Sequence, residues 1–461
     1  MINETHGRGN GMRAAVAVAI ATAVVAMAAP SASADPLPGG LGPCLGSDCP
    51  ATWDDPNSDP VAHHDSNVNI YVGGDYLVRE AASEAEGKIV TLGTFDMDKR
   101  EGVSAIYNVG VAGVGSRVPP PNGSDYLTVG GDVTVAPDKR LLAEEGTNSG
   151  KVAYGGTLTG TVNPLDAPRK DPDAITPFTA LRDQLTEASH CYAYEGTERR
   201  AATGTWARAG DTTTFTGDGT SAIQIFDVDA DLVPEAVGDT DFVFAGIPAG
   251  ATVLVNVYGT SRSISSLMGS LPTPGLREHL LWNFPDATSL TLSGTAQFQG
   301  SILVGQQSST TTLRMTGTNG RFYTAGSLTH TSPSESGGQE LHAYPFDGDL
   351  PSCEPEPTPT PTPTDPTPTP TDPTPTPTPT DPTPSPTDPT PTPTDPEPSP
   401  SATTPAPVPS PSRSGGQLPD TGSRGGEWVM GSLAAGLVAA GGAAFVAARR
   451  ARRRSAQYRP R

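Results

Sequence analysis

The apolar residues of this chain arrive in pulses of four or five, and glycine closes each pulse. NIYVGGDYLV (69 to 78), YLTVGGDVTV (126 to 135), KVAYGGTLTG (151 to 160), LTLSGTAQFQGSILVG (290 to 305) and NGRFYTAGSLTH (319 to 330) all have this texture. Such pulses are too short for amphipathic helices, and too short and even for the long strands of a sandwich. Short strands that meet at glycine corners build a parallel β-solenoid, in which each coil buries its few inward side chains against the next. Composition agrees: 35% of residues are hydrophobic and 6% aromatic, while 52 of 461 are glycine. That balance disfavours a helical bundle and suits Gly-, Thr- and Val-rich strands. The expectation is a mainly β, solenoid-like head, with a Greek-key β-sandwich as the alternative because the repeats are loose.

One stretch breaks the pattern. In DAITPFTALRDQLTEASHCYAY (173 to 194), Phe178, Leu181, Leu185 and Ala188 fall on one helical face. Thr176 is placed to cap and Pro177 suits the first helical position. A single inserted helix ending near His190 and Cys191 would lie along the solenoid and cover an apolar flank.

The two ends of the chain are of different character. Arg8 and Arg13 precede an uncharged, largely apolar run from 14 to 29, followed by Ala32-Ser33-Ala34 before Asp35. This has the parts of a secretory signal, expected to be cut between Ala34 and Asp35, and Met12 offers an alternative start. After a loop region (35 to 63) and a folded region (64 to 353), a Pro/Thr tract occupies 354 to 417. Proline fixes φ and removes the amide donor, so the tract reads as a disordered, polyproline-like stalk. Its 58 most regular residues would reach at most about 180 Å at ~3.1 Å each. Then come Leu418-Pro419-Asp420-Thr421-Gly422, 21 uncharged residues (428 to 448) long enough to cross a bilayer as a transmembrane helix, and an Arg-rich tail (449 to 461) that would stay cytoplasmic. This order of parts resembles the LPxTG cell-wall sorting signal of Gram-positive surface proteins, with Asp420 in the variable place. The resemblance implies that a sortase cuts between Thr421 and Gly422 and joins the Thr421 carbonyl to a peptidoglycan amine. Membrane contact would then last only until sortase cleavage, and the mature protein would sit in the cell wall.

Loss of both ends alters the charge. The whole chain carries a formal −21; without residues 1 to 34 and 423 to 461, 19 basic residues remain against 48 acidic ones, a net of −29. A surface this acidic excludes nucleic acid and anionic lipid as partners. Export to an oxidising compartment also makes the four cysteines a disulfide framework. Cys44 and Cys49, five apart in a Gly/Pro loop, favour a local bridge, which leaves Cys191 with Cys353 at the start of the stalk.

The folded region also resembles a known domain. The ordered motifs NIYVGGDY, EGKIVTLG, YNVGVAG, LTVGGDV, FTALRDQL, AGIPAGATVLVNVYG, LLWNFPDATSLTLSG, GSILVG, NGRFYTAGSL and ELHAYPFDG are similar to the choice-of-anchor A domain, over roughly residues 64 to 348. The resemblance implies an adhesin-like module, with closing turns similar to those of the right-handed β-solenoid of ice-binding proteins, and it brings no catalytic residues or cofactor.

Candidate chemistry is thin beside this. Asp227, Asp229 and Asp231 open like a calcium loop but lack its sixth-position Gly and twelfth-position Glu, so an acidic-faced strand is the simpler reading. Asp96 and Asp98 share one strand face but lack the partner a glycosidase pair requires. His63, His64 and Asp65 would diverge in a strand, so no metal site is expected. The five lysines before the stalk, Lys88, Lys99, Lys139, Lys151 and Lys170, give no support for an internal isopeptide bond. TTTLRMTGT (310 to 318) could form a hydroxyl array for ice or sugar, although threonine also favours strands for its own sake. The expected function is a non-enzymatic, wall-anchored adhesin whose ligand is a glycan or a matrix protein. The alternatives are a wall-displayed carbohydrate-active enzyme and an ice- or glycan-binding solenoid.

Overall fold

The computed structural model describes residues 37 to 353, apart from 235–237, 268–270, 272–274 and 334–337. The expected signal peptide with Ala34 and Asp35, the Pro/Thr stalk, residues 418 to 422, segment 428 to 448 and the Arg-rich tail lie outside the described residues. Among the described residues no helix is long and apolar enough to cross a membrane.

The head is a solenoid of short strands, and its three long sheets hold ten, eight and seven of them. A coil contributes one strand to each sheet. The first coil is Val68–Val72, Tyr76–Arg79 and Ala82–Glu86, and the second is Lys88–Thr91, Phe95–Asp98 and Ile106–Gly110. Their ladders are parallel, with Tyr71 beside Val90 and Tyr76 beside Phe95. Among the described residues antiparallel pairing of strands is found in small hairpins and in Thr205–Ala209 with Thr212–Thr216, beside an isolated antiparallel bridge between Asn57 and Gly115.

The corners explain the glycines. A Cβ on Gly130 would stand 2.3 Å from the Leu92 carbonyl oxygen of the coil below, and one on Gly155 would stand 2.4 Å from the Gly130 oxygen. Coils stack one strand spacing apart, so the corner backbones touch and leave no room for a side chain.

The coils do not follow one another in a single sequence. From the first coil the chain winds outward through 125 to 163 and ends on the edge strand Pro168–Lys170. The helix then carries it back along the ten-stranded sheet. It resumes at the opposite edge with Ile223–Val228 and winds inward through Thr252–Val257, Leu280–Phe284 and Ser301–Val304 to Phe322–Thr324. That last strand closes against the first, Ile70 beside Phe322 and Tyr71 beside Tyr323. Residues about 250 apart in sequence are therefore neighbours in all three sheets.

Inward side chains alternate with outward ones, and the lumen is filled. Tyr76, Phe95, Met97, Tyr107, Leu328 and Leu341 are buried in the middle coils. Toward the late edge, Trp282 meets Phe298, Phe242 and Phe215 at ring-centre distances of 5.0, 5.3 and 5.8 Å. Phe215, Phe242 and Phe244 come from the small sheet Thr205–Ala209, Thr212–Thr216 and Asp241–Ala245, which plugs the solenoid end.

The helix runs Leu181–Ala193 and covers the ten-stranded sheet, as its apolar face predicts, with Leu181, Leu185, Ala188, Ser189, Tyr192 and Ala193 buried. Its ends differ from the sequence expectation. Thr176 does not cap it: Thr176 and Pro177 form a separate 3-10 turn, Thr176–Phe178. Nor do His190 and Cys191 end it. Asn283 Nδ2 donates to the Ser189 carbonyl, Asn256 Nδ2 to the Tyr192 carbonyl and Tyr258 Oη to the Ala193 carbonyl. The last two of these bonds, with Arg200 donating to the Cys191 carbonyl, satisfy free end carbonyls and carry the helix two residues further.

The N-terminal loop is fastened to the same sheet. Arg321, fully buried, donates to the Gly42 and Pro43 carbonyls and pairs with Asp65 at 2.6 Å. Cys44 is bonded to Cys49, and Cys191 to Cys353.

Candidate binding face

The ten-stranded sheet is covered by the helix, whereas the eight-stranded sheet turns its outer side to solvent. In edge-to-edge order its strands are Leu158–Thr159, Val133–Val135, Phe95–Asp98, Tyr76–Arg79, Ser327–His330, Thr310–Leu313, Ser289–Gly294 and Ser261–Ser266. No ladder in it shifts register. The other two long sheets each contain at least one shift. Outward residues therefore line up in unbroken ranks, about 4.8 Å apart across strands and ~6.6 Å along them.

The central rank reads Thr159, Thr134, Asp96, Leu77, Thr329, Thr312, Thr291 and Ser263. A second rank joins Ser327, Thr310, Ser289 and Ser261. Along a third, Ser293 stands beside Ser265. Ten outward hydroxyls thus share the half built from residues 261 to 330, which also carries the exposed Arg314 two residues beyond Thr312. At its far corner Asp239 accepts from the Ser265 hydroxyl at 2.5 Å.

The other half, from residues 75 to 159, is different. Asp75, Asp96, Asp98 and Asp132 stand on or beside it among threonines. Thr94 donates its amide and its hydroxyl to Asp75 Oδ1, and Thr157 does the same to Asp132 Oδ1. The two bonds from Thr157, amide first, hold the Asp132 carboxyl below the ordinary carboxylate range. Asp96 is held by Arg79 at 2.7 Å.

The floor beneath the face is uncharged at its middle. Tyr76 and Tyr107 share a 2.7 Å hydroxyl contact, and the Tyr107 hydroxyl meets His330 Nδ1 at 2.8 Å. Burial, reinforced by the nearby Lys99 charge, pushes the His330 imidazole down to about 3, so it is neutral. Lys99 is itself buried and donates to the Ile106 carbonyl at 2.6 Å; burial and Lys139 push its ammonium down to about 8.

Other sequence candidates are placed elsewhere. His63 and His64 are not in a strand and do not diverge: His64 Nδ1 lies 2.8 Å from Asp48 Oδ2, and His63 Nδ1 lies 3.2 Å from the Asp48 carbonyl oxygen. Asp65 turns away from both to Arg321. Asp227, Asp229 and Asp231 do not converge. Asp227 accepts from Tyr258, Asp229 from Arg199, and Asp231 from the Ser263 amide, while Phe226, Val228 and Leu232 point into the core. Among the described residues no group of three or more His, Cys, Asp or Glu side chains is placed to hold a metal. Lys88 lies over the Phe178 ring at 5.2 Å. The outer side of the seven-stranded sheet carries Glu84 beside Glu340, with His342 2.9 Å from Glu340. A cleft of about 660 Å³ opens beside Trp53, Arg277 and Asp347.

The sequence pointed to TTTLRMTGT, which supplies Thr310 and Thr312. It did not single out SRSISS (261 to 266) or Ser327 and Thr329 as part of a face, although in SRSISS the serines at 261, 263 and 265 alternate with Arg262 and Ile264, the period-2 spacing of a strand.

Two solved structures illustrate the neighbourhood. An ice-binding protein from an Antarctic biological consortium is 11% identical, with a TM-score of 0.27, over 64% of this chain and 96% of that one. The DUF3494 domain of ice-binding protein 1 from Shewanella frigidimarina is 13% identical, with a TM-score of 0.23, over 64% and 99%. No curated protein matches the chain. A family model described as "Putative Ice-binding-like adhesive domain" matches residues 65–342, more than half of the chain and nearly all of the solenoid. The chain belongs to that family of ice-binding-like adhesive domains.

Proposed function

We propose that this protein is a surface adhesin of choice-of-anchor A type that grips a neutral, hydroxyl-rich surface, a glycan above all, with the residue 261 to 330 half of its eight-stranded sheet. The observation that carries the reading is the set of ten uncharged outward hydroxyls in unbroken register. A fixed lattice of donors and acceptors on rigid strands loses little entropy on meeting a repeating polyhydroxylated partner. Family membership supports adhesion as the general class. Ice is the second reading, favoured by the family's description and by the same regular ranks of hydroxyls. The face acts by binding and not by catalysis: Asp96, the nearest carboxylate in the central rank, is engaged by Arg79.

Display follows from the ends of the chain. Export by the N-terminal signal, attachment of Thr421 to peptidoglycan by a sortase that reads residues 418 to 422, and a Pro/Thr spacer would hold the head outside the wall of a Gram-positive cell. The mature chain, 35 to 421, is tested against insoluble glycans, matrix proteins and ice. Retention on at least one glycan, reduced by Thr312→Lys, is expected; retention on matrix proteins alone, unaffected by Thr312→Lys, would overturn the glycan reading. Thr421→Ala should leave the chain in the membrane fraction, and unchanged wall linkage would refute the sorting step.

A further inference from the structure

We infer that the Cys191–Cys353 disulfide is a load clamp, which makes tension from the stalk bypass the weak C-terminal strap and enter the solenoid through the last turn of the helix. The inference rests on the proposed attachment of the chain through its C-terminal stalk.

Two routes lead from Cys353 into the head. The first is the backbone of residues 343 to 352, a strap without strand or helix whose residues are mostly buried. Among its bonds to other segments are Ala343 N–H to the Glu86 carboxylate, Tyr344 Oη to the Asp54 carbonyl, Phe346 N–H to the Gly42 carbonyl and Asp347 N–H to the Glu278 carbonyl; Leu350 makes a β-bridge, and Phe346 and Leu350 are buried apolar anchors beyond Tyr344. Pulled from Cys353, these contacts lie in series and meet the load one after another.

The second route is the disulfide. Cys191 lies in the last turn of the helix, where Ser189, Tyr192 and Ala193 are bonded to Asn283, Asn256 and Tyr258. Asn283 in turn donates to Asn256 at 2.9 Å, which ties two adjacent strands of the ten-stranded sheet together. Those strands continue directly into Ser261–Ser266 and Ser289–Gly294 of the hydroxyl face. Load entering at Cys191 is therefore shared by several bonds at once, together with the packing of Leu185 and Tyr192.

The covalent topology points the same way. All ten hydroxyls of the proposed binding half lie between residues 261 and 330, inside the loop that Cys191 and Cys353 close, whose ends are 162 residues apart in sequence. A pull on that half reaches the stalk from both directions along the chain. The acidic half, 75 to 159, lies outside the loop.

Single-molecule pulling on the mature chain, held by its stalk end and by a bioorthogonal handle at Thr310, tests the clamp. The paired variant Cys191→Ser, Cys353→Ser should show an early, low-force step of less than about 35 Å, the ~3.5 Å-per-residue contour of ten residues less the distance the strap already spans, as the strap peels. Oxidised wild type should lack this step. Addition of reductant to a wild-type molecule already held should create it, which covers the case of a variant that does not fold. The same early step in oxidised wild type, or its absence after reduction, would overturn the inference. Because the handle replaces any ligand, failure of the glycan reading leaves this test intact; loss of glycan retention with the early step still gated by the disulfide would sink only the former.

Discussion

Replacement of Thr291, Thr312 and Thr329 together by valine isolates what the hydroxyl face contributes. The three stand side by side on adjacent strands in the central rank. Valine keeps the shape and the methyl group of threonine and removes only the hydroxyl. All three point outward and are part-exposed, and valine is at least as good a strand former, so the melting midpoint should move little. A hydrogen bond contributes about 0.5–1.5 kcal/mol net, so three lost bonds to a glycan come to roughly 1.5–4.5 kcal/mol. That is roughly a ten- to thousand-fold weaker Kd. The assay is a binding isotherm of the mature chain on the insoluble glycan that retains wild type, with circular dichroism as the fold control. Unchanged affinity in a folded triple variant would refute the reasoning and place the contact on the methyl groups, the outcome expected if apolar ordering at an ice surface were the mechanism. Thr94→Val, Thr134→Val and Thr157→Val in the acidic half should leave glycan affinity within about two-fold, because none of these belongs to the proposed binding half.

Further outcomes concern the fold. Asp65→Ala leaves the fully buried Arg321 without its carboxylate, and Arg321→Met leaves the equally buried Asp65 without its cation, so each should cost about 3–5 kcal/mol by denaturant unfolding. Trp282→Ala should cost about 3–5 kcal/mol, because the ring fills the lumen against Phe298, Phe242 and Phe215, and a smaller loss would mean that the aromatic plug collapses to fill the gap. The pH profile carries two opposed slopes. Burial, then the neighbouring Glu340 charge, pushes Glu84 up to about 7, so between pH 4.5 and 7 the folded state holds a proton that the unfolded state has released, and stability falls as pH rises. His330, pushed down to about 3, lacks a proton that the unfolded state binds below 6.5, so its share of stability is lost as pH falls from 6.5 toward 3. Glu84→Gln removes the first slope and should leave a melting midpoint that climbs more steeply from pH 4.5 to 6.5 than wild type; a profile parallel to wild type would contradict the Glu84 assignment.

Much of the fold was legible in short-range pattern. Pulses such as YLTVGGDVTV became two strands with a glycine corner, and the helix face of Leu181, Leu185 and Ala188 became the buried one, because periods of 2 and 3.6 are local properties of the backbone. The end of the helix was not legible: Asn256 and Tyr258, which take its last two carbonyls, come from 63 or more residues downstream. The histidine pair was misjudged for a similar reason, since Asp48 draws both rings together and no strand forms there. Of the binding face, the sequence pointed to Thr310 and Thr312 alone. Their neighbours in the ranks come from SRSISS, LTLSG and SLTH, of which the last two were read as strands and none as part of a hydroxyl face.

Alternation along each short strand is enough to say which side chains face the lumen, and stacking is enough to require glycine where Gly130 and Gly155 meet the coil below. The sequence by itself therefore determined a short-strand β head with one covering helix. Which strand lies beside which was decided only in three dimensions. A coil presents the same backbone edge to any coil that stacks on it, so local chemistry cannot order the coils; the choice is made by the packing of Phe322 on Ile70 and of Leu328 on Tyr76 across some 250 residues. That closure sets Thr329 beside Leu77, where the hydroxyl half of the face meets the acidic half.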